Sequence, residues 1–235
     1  MIKYFSMGRL LIKLFGNKKV RYRNLLLVLL PLILIMGFFG FMAYKGYKDI
    51  SNNSENTPVK KNDPYYIEEM NYSLRKNATD YQMEVFNELK EACKAEERNY
   101  EDIAVAVCKN YIADFYTWTN KAGRFDVGGM NFVYSPNKRN IYSQARDTFY
   151  NNLNIYIDKY GSENLLEVSN IDLWHVYKID DVTIDGTVCE AYYVHLQWQW
   201  ADTVTFPTDN LVTRGIFTVV INPNNGRVEI ADGYN

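Results

Sequence analysis

The side chains best suited to chemistry in this chain are His175, His195 and Asp114. A histidine titrates near neutrality and can give or take a proton. His195 stands between Tyr193 and Gln197 in a strand pattern, and His175 lies beside Trp174 and Tyr177. Asp114 immediately precedes Phe115 in a largely apolar helix pattern. Burial would raise its carboxyl and fit it to abstract a proton. With Tyr116, these three would line a pocket between helices and sheet. The competing reading makes the histidines ordinary hydrogen-bonded sheet residues and places Asp114 on a solvated stripe with Asn110 and Lys121. Nothing else in the sequence reinforces catalysis: there is no G-x-S-x-G, no phosphate-binding glycine loop and no H-E-x-x-H. Cys93, Cys108 and Cys189 lack zinc-type spacing and are too few for a disulfide scaffold. They read as buried thiols; the alternative is a Cys93–Cys108 bridge between antiparallel helices. The sequence therefore assigns no catalytic residue, no cofactor and no metal.

Two segments instead carry the chemistry of contact. Trp198, Trp200 and Phe206 bracket the loop from Ala201 to Asn210. Tryptophan is enriched at protein interfaces, so this is one candidate partner site, the other reading being the rim of the core. The second is the turn Asn222-Pro223-Asn224-Asn225-Gly226, whose composition suits a tight hairpin.

Elements of two periods must hold these residues. Asp63-Pro64 predicts a short helix to about Lys76. Thr79 and Gln82 form a capping box for a helix to about Glu97, with Tyr81, Val85, Phe86, Leu89 and Cys93 on one face. Asn99 caps a third helix to about Asn120, apolar most of the way round and so buried on several sides. Gly123, Gly128 and Gly129 mark a loop, and Ser135-Pro136 starts a long helix that ends at Gly161. Beyond Gly161 the period becomes two. Irregular strand from Leu165 to Ile179 leads to a hairpin turning at Asp185-Gly186. Val188, Tyr192, Val194, Leu196, Trp198 and Trp200 share one of its faces. Strands Leu211–Ile221 and Arg227–Ala231 follow. Helices ahead of antiparallel strands predict an α+β domain, with the helices on one face of a curved sheet.

The N-terminal quarter sets the location. Leu25 to Tyr44 is twenty residues without a charge, about 30 Å as a helix and enough to cross a bilayer. Seven basic and no acidic residues precede it, which predicts a cytoplasmic N-terminus and an exported remainder. The apolar run exceeds that of a cleaved signal peptide, and no small-x-small site follows it. The expected organisation is a basic tail (1–24) touching lipid headgroups, a transmembrane helix (25–44), a polar linker (45–63) and an extracytoplasmic domain (64–235). That domain carries a net charge of about −10, which argues against direct nucleic-acid binding.

The layout of tail, anchor, linker, helices and curved sheet resembles VirB-eight-like assembly factors of type IV secretion and TcpC-like conjugation proteins. The matching stretches are Tyr111 to Trp118, Tyr134-Ser135-Pro136, Tyr160-Gly161 and Ile221 to Val228 (INPNNGRV). The last is similar to an Asn-Pro-x-Gly turn of that family, with one extra residue before Gly226. The resemblance implies a nuclear transport factor 2-like exported domain. It also implies a non-enzymatic, homo-oligomeric scaffold whose partners are other subunits of a membrane-spanning transfer complex, with contacts through the 222–226 turn. The alternatives are a membrane-anchored small-molecule-binding or enzymatic domain built on the pocket residues, and an envelope-binding module.

Overall fold

The computed structural model describes residues 63–202 and 204–234. The basic tail, the apolar segment at 25–44 and nearly all of the linker lie outside the described residues. Among the described residues no helix is long and apolar enough to cross a membrane.

The first element departs from expectation. Residues after Pro64 form a small antiparallel hairpin, β1 (Tyr66–Ile67) and β2 (Tyr72–Ser73), instead of a helix. Asp63 does cap, accepting from the Tyr65 N–H at 2.9 Å, but no helix follows. Asn71 is left-handed (φ 54°) and closes the turn, which buries Ile67 and Tyr72 completely. Alternation of buried side chains overrode the proline start signal.

α1 (Asp80–Lys94) begins as read, with both halves of the Thr79–Gln82 capping box formed. α2 (Tyr100–Phe115) starts at Asn99, whose side chain accepts from the Glu101 N–H. It ends five residues early because the next backbone groups bond elsewhere. The Trp118 N–H donates to the Leu166 carbonyl at 2.6 Å, and the Val168 N–H donates to Thr117 Oγ1 at 3.1 Å. α2 packs against α1 and touches all four strands of the main sheet, which explains its wide apolar surface.

The long helix expected from Ser135 to Gly161 is two: α3 (Ser135–Asp147) and α4 (Leu153–Tyr160). The N-cap position is Tyr134, without a side-chain cap, and Ser135-Pro136 form the first turn. The break lets Tyr150 turn inward, fully buried, where its hydroxyl donates to the Phe115 carbonyl at 2.5 Å and accepts from the Gly128 N–H at 3.1 Å. The regular spacing of apolar residues across the break concealed it.

The sheet is antiparallel, ordered β3 (Val168–Ile184), β4 (Thr187–Trp200), β5 (Arg214–Ile221), β6 (Val228–Tyr234). Asp185 (φ 48°) and Gly186 (φ 79°) form the expected tight turn between β3 and β4. Three register shifts interrupt the β3–β4 ladder and one the β5–β6 ladder, and such bulges bend and twist a sheet. The alternation in β4 holds only from Tyr192 onward. Toward the hairpin end Val188 is 58% exposed, while Cys189 and Ala191 are buried on the opposite face beneath Tyr134. The domain is α+β, as expected.

Candidate functional site

A cleft of about 310 Å³ lies between α2, α3, the end of β4 and the strands β5 and β6, of which β6 is the sheet edge. Its walls are aromatic because α2 and β4 converge there. Tyr116 meets Trp200 at 6.4 Å between ring centres and 67° between planes, and Tyr111 meets Phe217 at 5.8 Å and 67°. Phe149 stacks on Phe115 behind them. Gln144 and Ile141 from α3 and Asp232 from β6 complete the wall. These last three also line a second, more open groove that continues over the other side of the β6 edge. The aromatic content and the segment after Trp200 were legible in the sequence; the participation of Gln144 and Asp232 was not.

Of the four residues expected to line a pocket, only Tyr116 does so. Asp114 is neither solvated nor free. Its Oδ1 accepts from Arg75 Nε at 2.7 Å and Lys121 Nζ at 2.9 Å, and its Oδ2 accepts from the Gly129 N–H at 2.6 Å. Arg75 continues to Asp126, at 3.2 Å. Burial would raise the Asp114 carboxyl, but Lys121, Arg75 and the Gly129 amide outweigh it and hold the group below the usual carboxylate value. Burial likewise pushes Lys121, whose side chain is fully enclosed, down to about 8 against the attraction of Asp114. The close approach requires glycine: a Cβ on Gly128 would lie 2.1 Å from the Asp114 carbonyl oxygen. The network ties the β2–α1 loop and the 117–129 loop to the end of α2. Asn110, expected on the same solvated stripe, is buried and donates to the Val85 and Ala106 carbonyls.

His175 and His195 are direct cross-strand partners, 6.3 Å between ring centres. Pleating puts them opposite Val194 and Leu196, on the sheet face turned away from α2. His175 is exposed and His195 half-buried, its buried Nε2 without a partner among the described residues. The structure thus separates the histidines from Asp114 and from the cleft. All three cysteines are free and buried. Burial pushes the Cys93 thiol up to about 11 and raises Cys108 too.

The two candidate contact segments differ. Trp198 is 2% exposed and packs 4.5 Å from Tyr116, so it belongs to the core. Phe206 lies against Trp118, Tyr156 and Tyr160 and closes the aromatic cluster. Trp200 is a wall of the cleft. The 222–226 turn, by contrast, projects. Pro223, Asn224 and Asn225 are exposed, and Gly226 takes φ 70°. Asn222 is buried beneath them: its Oδ1 accepts from the Asn224 N–H at 3.0 Å, and its Nδ2 donates to Glu229 at 3.1 Å. Arg227 lies over the Tyr72 ring, donates to Asn131 and pairs with Glu229 at 3.6 Å. Burial raises the Glu229 carboxyl, only partly offset by Asn222, Arg227 and Lys138.

No protein-family model, curated protein or solved structure matches the chain.

Proposed function

We propose that the chain is a membrane-anchored scaffold subunit of a type IV secretion or conjugative DNA-transfer channel, with a nuclear transport factor 2-like extracytoplasmic domain. The domain acts through protein contacts with its own copies and with other channel subunits. The observation that carries this reading is the 222–226 turn. Its tip is exposed and polar, while its base is fixed from below by Asn222, Arg227 and Glu229. A rigidly presented loop loses little entropy on binding, which favours contact. The order of helices before a curved antiparallel sheet also supports the reading, as do the basic tail and the uncharged stretch at 25–44.

The test is photo-crosslinking from position 224 of the full chain in its native membrane. Adducts with a second copy or with transfer-channel components are the expected result. Recovery of neither, with the chain expressed and membrane-associated, overturns the proposal.

The aromatic cleft favours a second reading, a ligand-binding domain. Its chemistry does not come from Asp114, His175 and His195, which lie outside the cleft.

A further inference from the structure

We propose that the groove between α3 and the sheet face turned away from α2 binds a short neutral saccharide, held by an amide stripe on the helix and a polar row on the strands. The strand register builds the row. Tyr193 pairs with Thr218, and Thr218 with Asp232, so these side chains cross β4, β5 and β6 on one face. Phe217, Val219 and Ile230 take the other face, toward α2. Asn137, Asn140 and Gln144 follow one another on α3 at spacings of three and four, so they share the side of the helix that borders the groove. Val182 and Ile184 close it at the β3–β4 hairpin end. The space is about 470 Å³, within the range of small-molecule sites. From Asn137 to Gln144 the stripe runs about 10 Å at the helical rise, roughly the length of a disaccharide.

The lining matches hydroxyls better than charges. Among the described residues no lysine, arginine or histidine lines the groove, so an anionic ligand would lose hydration and gain no counter-charge. A sugar hydroxyl both gives and accepts a hydrogen bond, and a side-chain amide does the same from adjacent atoms. Asn140 and Gln144 are exposed, and neither side chain has a hydrogen-bond partner among the described residues. Asp232 is exposed too; it accepts from the Gly233 N–H at 2.8 Å and keeps acceptor capacity for hydroxyls. Tyr193 is half-buried and steadied by Tyr177, perpendicular to it at 5.7 Å, and supplies an aromatic surface for the C–H face of a pyranose. A peptide adding to the β6 edge is less favoured. The carbonyls of Ile230 and Ala231 already accept from the Tyr134 N–H at 2.8 Å and from Asn137 at 2.6 Å. Those two bonds also tie the start of α3 to β6, so the groove is formed before a ligand arrives. The site is independent of the scaffold role: it uses no residue of the 222–226 turn.

The test is NMR titration of the full chain in phospholipid nanodiscs, which contribute no sugar, with cellobiose, N,N′-diacetylchitobiose, digalacturonate and capped trialanine. Saturable shifts at the Asn140 and Gln144 side-chain amides and the Asp232 backbone amide are expected with at least one of the two neutral disaccharides. Digalacturonate, with its two carboxylates, should bind about threefold or more weakly than that disaccharide. The double variant Asn140→Ala, Gln144→Ala changes only exposed side chains and should weaken binding at least about fivefold, the loss of two ordinary hydrogen bonds. No saturable shift with either neutral disaccharide overturns the proposal, as does digalacturonate binding as tightly as they do. Tighter binding of capped trialanine would make the groove a peptide site instead. A folded double variant that binds as before would also overturn it. None of these results affects the crosslinking from position 224.

Discussion

Asp114 and Glu229 are both carboxylates taken out of water, yet the protein treats them oppositely. Asp114 receives two cations and a backbone amide, and its carboxyl falls below the ordinary value. Glu229 receives one amide and one arginine at 3.6 Å, and its carboxyl rises. Burial alone pushes both upward; the number and closeness of donors decides the sign. The two networks also serve different parts of the molecule. The first fixes the loops behind the end of α2, from which Tyr116 enters the cleft. The second fixes the base of the projecting turn. One is a structural clamp behind the cleft, and the other is the footing of the exposed turn.

The sharpest way to break this contrast is Asp114→Ala. It leaves the enclosed Lys121 and Arg75 without their shared anion, and loss of one partner from a buried ion network costs about 3–5 kcal/mol. Urea unfolding of the full chain should show that loss. A change under about 1 kcal/mol would mean that the network contributes little to stability.

The pH dependence separates the two carboxylates next. The stability from Asp114 is present above its unfolded value of 3.8 and is lost as pH falls through its lowered folded value. For Glu229 the sign reverses: its contribution is complete below 4.5 and is lost as pH rises through its raised folded value. Unfolding midpoints measured between pH 2 and 7 should therefore carry two opposing limbs. Glu229→Gln should remove the upper limb alone and change neutral-pH stability by about 1 kcal/mol or less, since an amide keeps the shape and needs no cation. Persistence of that limb in the variant would assign it to another group.

The smallest expected effect is at the turn tip. Asn224→Ala should move stability by no more than about 0.5 kcal/mol, because the side chain is exposed and the turn is held from Asn222. A larger loss would show that the tip itself holds the turn, and the contrast between anchored base and free tip would fail.

Local signals carried much of this architecture. The Thr79 capping box, the Asn99 cap, the Asp185-Gly186 turn and the alternation from Tyr192 to Trp200 each depend on residues within a few positions of one another. Such signals can be read along the chain, and the α+β order followed from them. They failed where a distant group competed. Leu166 and Val168 took the backbone and side chain that would have prolonged α2, Phe115 and Gly128 drew Tyr150 out of a continuous helix, and the buried Ile67–Tyr72 pair overrode the proline start at Pro64.

The same division governs function. By itself the sequence determined an uncharged span-length segment behind a basic tail, an acidic α+β domain beyond it and a polar turn before the last strand. Charge, hydrophobicity and turn chemistry are properties of composition and short spacing, so the chain alone displays them. The tertiary structure alone decided that Asp114 is a clamp, that Trp198 is core while Trp200 is a cleft wall, and that Gln144 and Asp232 border the cleft. Asp114 meets Arg75 across 39 positions, and Asp232 shares the cleft with Tyr116 from the far end of the sheet. Long-range proximity of this kind is set by packing of the whole domain, and no local pattern encodes it.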